Sequence, residues 1–83
     1  MRLPNQPVTL TTEQLAELGA DLASMRHDIN NNLSLIMAAV ELLRQKPHLT
    51  ERMLATLTEQ PPKITATIGK FSEKFDSVLG INR

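Results

Sequence analysis

Residues 11–46 read TTEQLAELGADLASMRHDINNNLSLIMAAVELLRQK, and this stretch decides the fold. Apolar residues recur along it at steps of three and four, which predicts an amphipathic α-helix with a seam like that of a coiled coil. Thr11 and Gln14 have the spacing of a capping box, so the helix should begin there. Two consecutive steps of four, from Met25 to Leu33, predict a stutter in the seam. The recurring positions are Leu15, Leu18, Leu22, Met25, Ile29, Leu33, Ile36, Val40 and Leu43.

A second helix is predicted after Pro47, whose ring cannot be accommodated by the preceding helical turn. Thr50 has the character of an N-cap, and Gly80 that of a C-terminal cap. The apolar spacing keeps its phase through Pro61-Pro62, which favours one helix with a kink near residues 57–62. The second seam contains Leu54, Leu57, Pro61, Ile64, Ile68, Phe71, Phe75 and Val78. An extended arm is predicted at residues 1–10 and a helical hairpin at 11–81. Within the hairpin, the helices are predicted at about 12–46 and 50–79.

The predicted architecture is all-α, because a short link between two long helices gives an antiparallel hairpin. The second half of the first helix is apolar almost all round, and one partner helix cannot cover that circumference. A symmetric homodimer, in which two hairpins pair into a four-helix bundle, would cover it.

Composition excludes several classes of function. The chain has 83 residues, no cysteine and a formal net charge of zero. The absence of cysteine excludes disulfides, makes the cytoplasm the default compartment and, with only two isolated histidines, argues against a metal site. The neutral charge argues against nucleic-acid binding. No apolar run approaches the roughly 18 residues of a membrane helix, so no membrane insertion is expected, and nothing in the sequence indicates a cofactor.

The candidate site lies in the first helix at His27, Asp28 and Asn31. His27 and Asn31 are four residues apart and share a face. His27 lies about 200° around the helix from the seam, so it should face solvent. An imidazole is a nucleophile, a neighbouring carboxylate can hold one ring nitrogen and accept a proton, and an amide can hold water or a phosphoryl oxygen.

Small and polar residues surround the candidate site, and they would let a partner approach the imidazole. The residues expected to contact a partner are Ala23, Ser24, Arg26, Asn30 and Ser34. The run of asparagines at 30–32 has poor helix propensity, and such local departures tend to mark functional sites. The alternative interpretation is a solvated surface His-Asp pair. His48 is assigned to the turn, and Lys63, Lys70 and Lys74 to a solvated stripe on the second helix.

Residues 26–36, RHDINNNLSLI, followed by Glu41-Leu42-Leu43, resemble the H-box of bacterial sensor histidine kinases, in the His-Asp-x-x-Asn variety of their dimerisation and histidine-phosphotransfer domain. The resemblance implies two hairpins paired in a four-helix bundle. It implies that His27 accepts a phosphoryl group, that Asp28 assists the transfer, and that Asn31 positions water during hydrolysis of a phosphorylated aspartate. The implied partner is a response-regulator receiver domain, and phosphatase activity is a further expectation.

The chain departs from a complete kinase because it contains no glycine-rich phosphate loop; its glycines are the widely separated Gly19, Gly69 and Gly80. Autonomous kinase activity is therefore not expected, and a separate or downstream ATP-binding domain would have to supply the phosphate. Two other functions remain open. One is a non-catalytic dimerisation scaffold, and the other is a DNA-binding hairpin, which the neutral charge disfavours.

Overall fold

Two long helices joined by one tight turn make up the structure, a computed structural model that describes residues 6–80. Helix α1 spans Thr12–Gln45 and helix α2 spans Thr50–Leu79, with a 3-10 turn at Pro47–Leu49 between them. The helices run antiparallel, as contacts between Glu17 and Lys74 and between Asn32 and Gln60 require. No strand occurs within residues 6–80. The predicted all-α hairpin is confirmed, with helix boundaries within one residue of those expected.

The ends of the helices are set by local signals in the sequence. The Thr11 hydroxyl accepts a hydrogen bond from the Gln14 N–H at 3.0 Å, and the Gln14 side chain accepts one from the Thr11 N–H at 2.9 Å, which completes the predicted capping box. Gly80 ends α2 with φ 69°, a left-handed conformation that glycine adopts at little cost. Of the arm predicted at 1–10, residues 6–10 are non-helical and the remainder lies outside the described residues.

Thr50 does not cap α2, so that prediction is wrong. The residue before the helix is Leu49, whose side chain makes no capping hydrogen bond, and Thr50 is itself helical. The 3-10 turn runs directly into α2, and both the N–H and the hydroxyl of Thr50 donate to the carbonyl of Pro47. The turn therefore satisfies donors that a side-chain cap would otherwise satisfy.

Helix α2 continues through Pro61 and Pro62, so the prediction of one helix rather than two is confirmed. Neither proline has an N–H, and the carbonyls of Leu57 and Thr58, one turn earlier, therefore lack their usual helical donors. The kink expected near residues 57–62 stays a prediction.

The seam between the helices differs from the one that the sequence predicted. Leu33 is 45% exposed and Val40 43% exposed, so neither packs fully against α2. Asn32 and Ala39 replace them in the contact. Two consecutive steps of four remain, from Asp21 through Met25 to Ile29, so the stutter lies one step earlier in the hairpin seam than predicted. The reason is that the apolar stripe is wider than one neighbouring helix can cover. The α1 residues that face α2 are Leu18, Asp21, Met25, Ile29, Asn32, Ile36, Ala39 and Leu43.

The same shift occurs on α2, where Leu54 is 51% exposed and Ile68 is 46% exposed. Among the described residues Ala39 is the only apolar one that is buried, at 3% exposure. Neither helix in this part of the chain holds an apolar segment long enough to cross a membrane.

The capping box predicts a measurable loss of stability in Thr11→Ala. The substitution leaves the Gln14 N–H without its acceptor, so the free energy of unfolding should fall by about 1 kcal/mol in urea denaturation. Thr12→Ala, at the exposed first helical position, is the matched control and should change little. Equal stability of the two variants would show that the capping box contributes nothing.

Candidate functional site

His27 lies near the middle of α1 and its side chain is 76% exposed. The neighbouring residues Met25 and Ile29 face α2 and are half-buried. Because residues two apart on a helix point in nearly opposite directions, the imidazole projects away from the hairpin contact. This agrees with the outward orientation that the sequence spacing predicts.

The Asp28 carboxylate lies beside one edge of the imidazole. Its Oδ1 is 3.7 Å from Nδ1 of His27, and the Asp28 side chain is 57% exposed. This separation is too long for a hydrogen bond, but it places a negative charge next to Nδ1 and leaves Nε2 on the far edge of the ring. The two residues therefore form a loose, solvated pair that a small change of rotamer could tighten.

The other residues predicted for the site share this ridge of α1. Asn31 lies one helical turn beyond His27 and is exposed. At about 100° per residue, Asp28 and Ser24 lie on one flank of His27, and Arg26 and Asn30 on the other. The predicted site residues thus lie on one exposed surface of α1. The five expected partner contacts, Ala23, Ser24, Arg26, Asn30 and Ser34, are all exposed.

An open groove of about 330 Å³ borders the ridge on the Asp28 flank. Sequence reasoning missed it, because it forms only where α1 and α2 lie side by side. Its walls carry opposite charges, with aspartates on α1 facing lysines on α2. The lining residues are Asp21, Ser24, Met25 and Asp28 from α1 and Thr67, Lys70, Phe71 and Lys74 from α2.

Lys74 is held by carboxylates of α1, whereas the sequence suggested only a solvated stripe. Its ammonium group donates to Glu17 and lies 4.0 Å from Oδ2 of Asp21. The hydrogen bond to Glu17 raises the pKa of Lys74, and the negative charges of Glu17 and Asp21 raise it further, while partial desolvation opposes them. Lys70 is exposed at the groove.

A second contact that the sequence did not reveal is a hydrogen bond inside the seam. Nδ2 of Asn32 donates to Oε1 of Gln60 at 2.8 Å, and Gln60 is only 3% exposed. Asn32 is adjacent to Asn31, so a part-buried polar contact lies one residue from the candidate site. The sequence carried one sign of this contact. In each helix an amide residue, Asn32 or Gln60, directly precedes a residue that was predicted to lie in the seam.

No protein-family model, curated protein or solved structure matches the chain. Within residues 6–80, no three histidine, aspartate or glutamate side chains cluster in a way that could hold a metal ion. The ridge of α1 carries an exposed imidazole, an adjacent carboxylate and nearby amides.

The Lys74 contacts predict that the free energy of unfolding falls as the pH rises into the alkaline range. Because folding raises the pKa of Lys74, its contribution is complete below the unfolded pKa of about 10.4 and is lost as the pH rises through the folded pKa. Lys74→Met should therefore lose less unfolding free energy than the wild type between about pH 8 and pH 11. Lys63→Met is the exposed control and should follow the wild type; identical curves for all three proteins would contradict the prediction.

Proposed function

We propose that the chain is a histidine phosphotransfer module of two-component signalling, in which His27 exchanges a phosphoryl group with an aspartate of a response-regulator receiver domain. One observation carries the proposal: the His27 imidazole is 76% exposed, with a carboxylate oxygen 3.7 Å from Nδ1. A nucleophile that must enter another protein's active site needs that exposure. The His-Asp-x-x-Asn resemblance described above points to the same chemistry.

The proposed transfer uses Nε2 of His27 as the nucleophile. The Nε2 lone pair attacks the phosphorus of an aspartyl phosphate, an N–P bond forms, and the O–P bond to the carboxylate breaks with its electron pair. The imidazole then carries a positive charge with its proton on Nδ1. The Asp28 carboxylate beside Nδ1 stabilises that charge and can accept the proton.

Asn31 supports a second step, the hydrolysis of the receiver's aspartyl phosphate. Its exposed amide has both donors and an acceptor and lies one turn from His27 on the same face. In the proposal, the amide orients the water that attacks phosphorus, while His27 takes no covalent part.

We further propose that the module acts as a homodimer. The hairpin measures 56 × 24 × 13 Å, which is one helix thick. Its radius of gyration is 17.8 Å, against about 12 Å for a compact chain of this length. Stable domains need a second layer to bury an apolar face. The exposed apolar side chains on the flank away from the groove are Leu15, Leu22, Leu33 and Val40 of α1 and Leu54 and Ile68 of α2.

A second copy is the occupant that fits this apolar flank. Both helices contribute to it, so two flanks placed face to face would bury the side chains that a single hairpin leaves exposed. The resulting four-helix bundle would keep both His27 ridges on the outside. A non-catalytic dimerisation scaffold is the second candidate function, and the same apolar flank favours it.

Phosphorylation of the isolated chain tests the acceptor role. With phosphoramidate as donor, ³¹P NMR should detect one acid-labile, base-stable phosphohistidine in the wild type. His48→Gln, which removes the other exposed histidine, should be labelled equally, and His27→Gln should not be labelled. Equal labelling of His27→Gln would overturn the proposal.

Transfer and hydrolysis are followed in the same experiment with receiver domains phosphorylated by acetyl phosphate. His27→Gln should abolish transfer of the phosphoryl group from the receiver domain to the chain. Asn31→Ala should retain that transfer and slow the loss of receiver phosphate, with Asn30→Ala as the matched control. If His27→Gln kept full activity in a functional assay while a variant that disrupts the dimer, such as Leu33→Glu, lost it, the result would favour the non-catalytic dimerisation scaffold.

Sedimentation equilibrium tests the proposed dimer at micromolar concentration. Leu33→Glu places a charge on the apolar flank and should yield monomers, whereas the wild type should sediment as a dimer. Leu35→Glu is the matched control, because Leu35 is similarly exposed, at 50%, and about 200° around α1 from Leu33. A monomeric wild type, or equal dissociation by both variants, would contradict the proposal.

A further inference from the structure

We propose that the Asn32–Gln60 hydrogen bond maintains the register of the two helices, that is, their alignment along the hairpin axis, on both sides of the proline pair of α2. We call this bond the register lock. The functional consequence of this inference rests on the proposed function, whereas the register itself does not. The bond joins the centres of the two helices, 28 residues apart in sequence, at 2.8 Å between Nδ2 and Oε1.

Gln60 directly precedes the point at which α2 loses backbone hydrogen bonds. Pro61 and Pro62 cannot donate to the carbonyls of Leu57 and Thr58. Just before them, the Thr58 hydroxyl donates to the carbonyl of Leu54 at 2.7 Å, a type of bond that tends to bend helices. The second half of α2 is therefore coupled to its first half less stiffly than in an ordinary helix.

The two halves of α2 have different means of keeping their alignment with α1. The first half follows the tight turn at Pro47–Leu49, which fixes where it begins. Beyond the prolines, the contacts with α1 include the ion pairs of Lys74 with Glu17 and Asp21, whose side chains are 39%, 54% and 41% exposed. Exposed ion pairs of this kind contribute little to stability, so they hold the alignment weakly.

The seam around the amide pair is otherwise apolar, which gives the pair its selectivity. Ile29 and Ile36 flank Asn32 on α1, and Leu57 and Ile64 flank Gln60 on α2. A shift of α2 by one turn would place Asn32 against Leu57 or Ile64 and leave both amides without partners. A buried unpaired amide is destabilising, so the native alignment is favoured over its neighbours.

The alignment matters because the groove beside the candidate site is built from both helices. Thr67, Lys70 and Lys74 follow the prolines on α2, and they face Ser24 and Asp28 of α1 across the groove. Register therefore decides which α2 side chains a partner bound at His27 would meet. Asn32 and Gln60 are positioning residues and take no part in the chemistry.

Paired substitutions separate a register role from simple stabilisation. Each single variant, Asn32→Leu or Gln60→Leu, leaves the remaining amide without its hydrogen-bond partner and should lower Tm by roughly 5 °C. The double variant Asn32→Leu/Gln60→Leu makes the seam apolar and should fold with a Tm equal to or above that of the wild type. The exchange variant Asn32→Gln/Gln60→Asn keeps an amide pair and should keep the native alignment.

Spin-label distances report the register directly, and the natural absence of cysteine allows selective labelling. Labels at Arg44→Cys and Glu73→Cys measure the half of α2 beyond the prolines, and labels at Ala20→Cys and Glu51→Cys measure the half next to the turn. All four positions are exposed, and dilution with unlabelled chain removes signals between copies.

In the double leucine variant, the Arg44–Glu73 distance should broaden or shift by about 5 Å, one helical turn, while the Ala20–Glu51 distance stays unchanged. The exchange variant should give the wild-type distances for both pairs. An unchanged, narrow Arg44–Glu73 distance in the double leucine variant would overturn the register lock. Failure of the wild type to accept phosphate would reject the proposed function alone, because the distances are measured without phosphorylation.

Discussion

Two helices lying side by side can bury only one edge of each other's apolar stripe, and this constraint shapes the molecule. On α1 the buried edge runs through Asn32 and Ala39, while Leu33 and Val40 stay on the surface. The hairpin is consequently 13 Å thick in its smallest dimension and lacks a second layer. The proposed dimer follows from this geometry, since a second copy offers an equally uncovered edge.

The position of His27 follows from the same division of the α1 surface into faces. One face packs on α2, a second carries the exposed apolar stripe, and the remaining ridge carries His27 and Asn31. In a four-helix bundle the first two faces would be occupied, and the ridge and the groove beside Asp28 would stay accessible. An exposed nucleophile is compatible with dimerisation only on that ridge, where the chain has it.

Most features that depend on near neighbours in the sequence could be predicted, with the N-cap expected at Thr50 as the exception, and features that depend on contact between the helices could not. The capping box at Thr11, the end of α1 before Pro47 and the left-handed Gly80 are local, and all are present. The continuity of α2 followed from unbroken periodicity. Which edge of the α1 apolar stripe packs against α2 depends on residues far apart in the sequence. The seam was therefore predicted in the wrong place, and the Asn32–Gln60 bond and the groove were not predicted.

The three asparagines at 30–32 become intelligible once both sides of α1 are considered. Asparagine costs up to about 0.7 kcal/mol per residue relative to alanine in a helix, yet α1 is unbroken through all three. Asn32 points into the seam and donates to Gln60, whereas Asn30 and Asn31 are exposed. Because consecutive side chains are fixed about 100° apart, the hydrogen bond of Asn32 also fixes the direction in which Asn31 projects from α1. One polar turn therefore connects the alignment of the helices to the surface on which the proposed chemistry takes place.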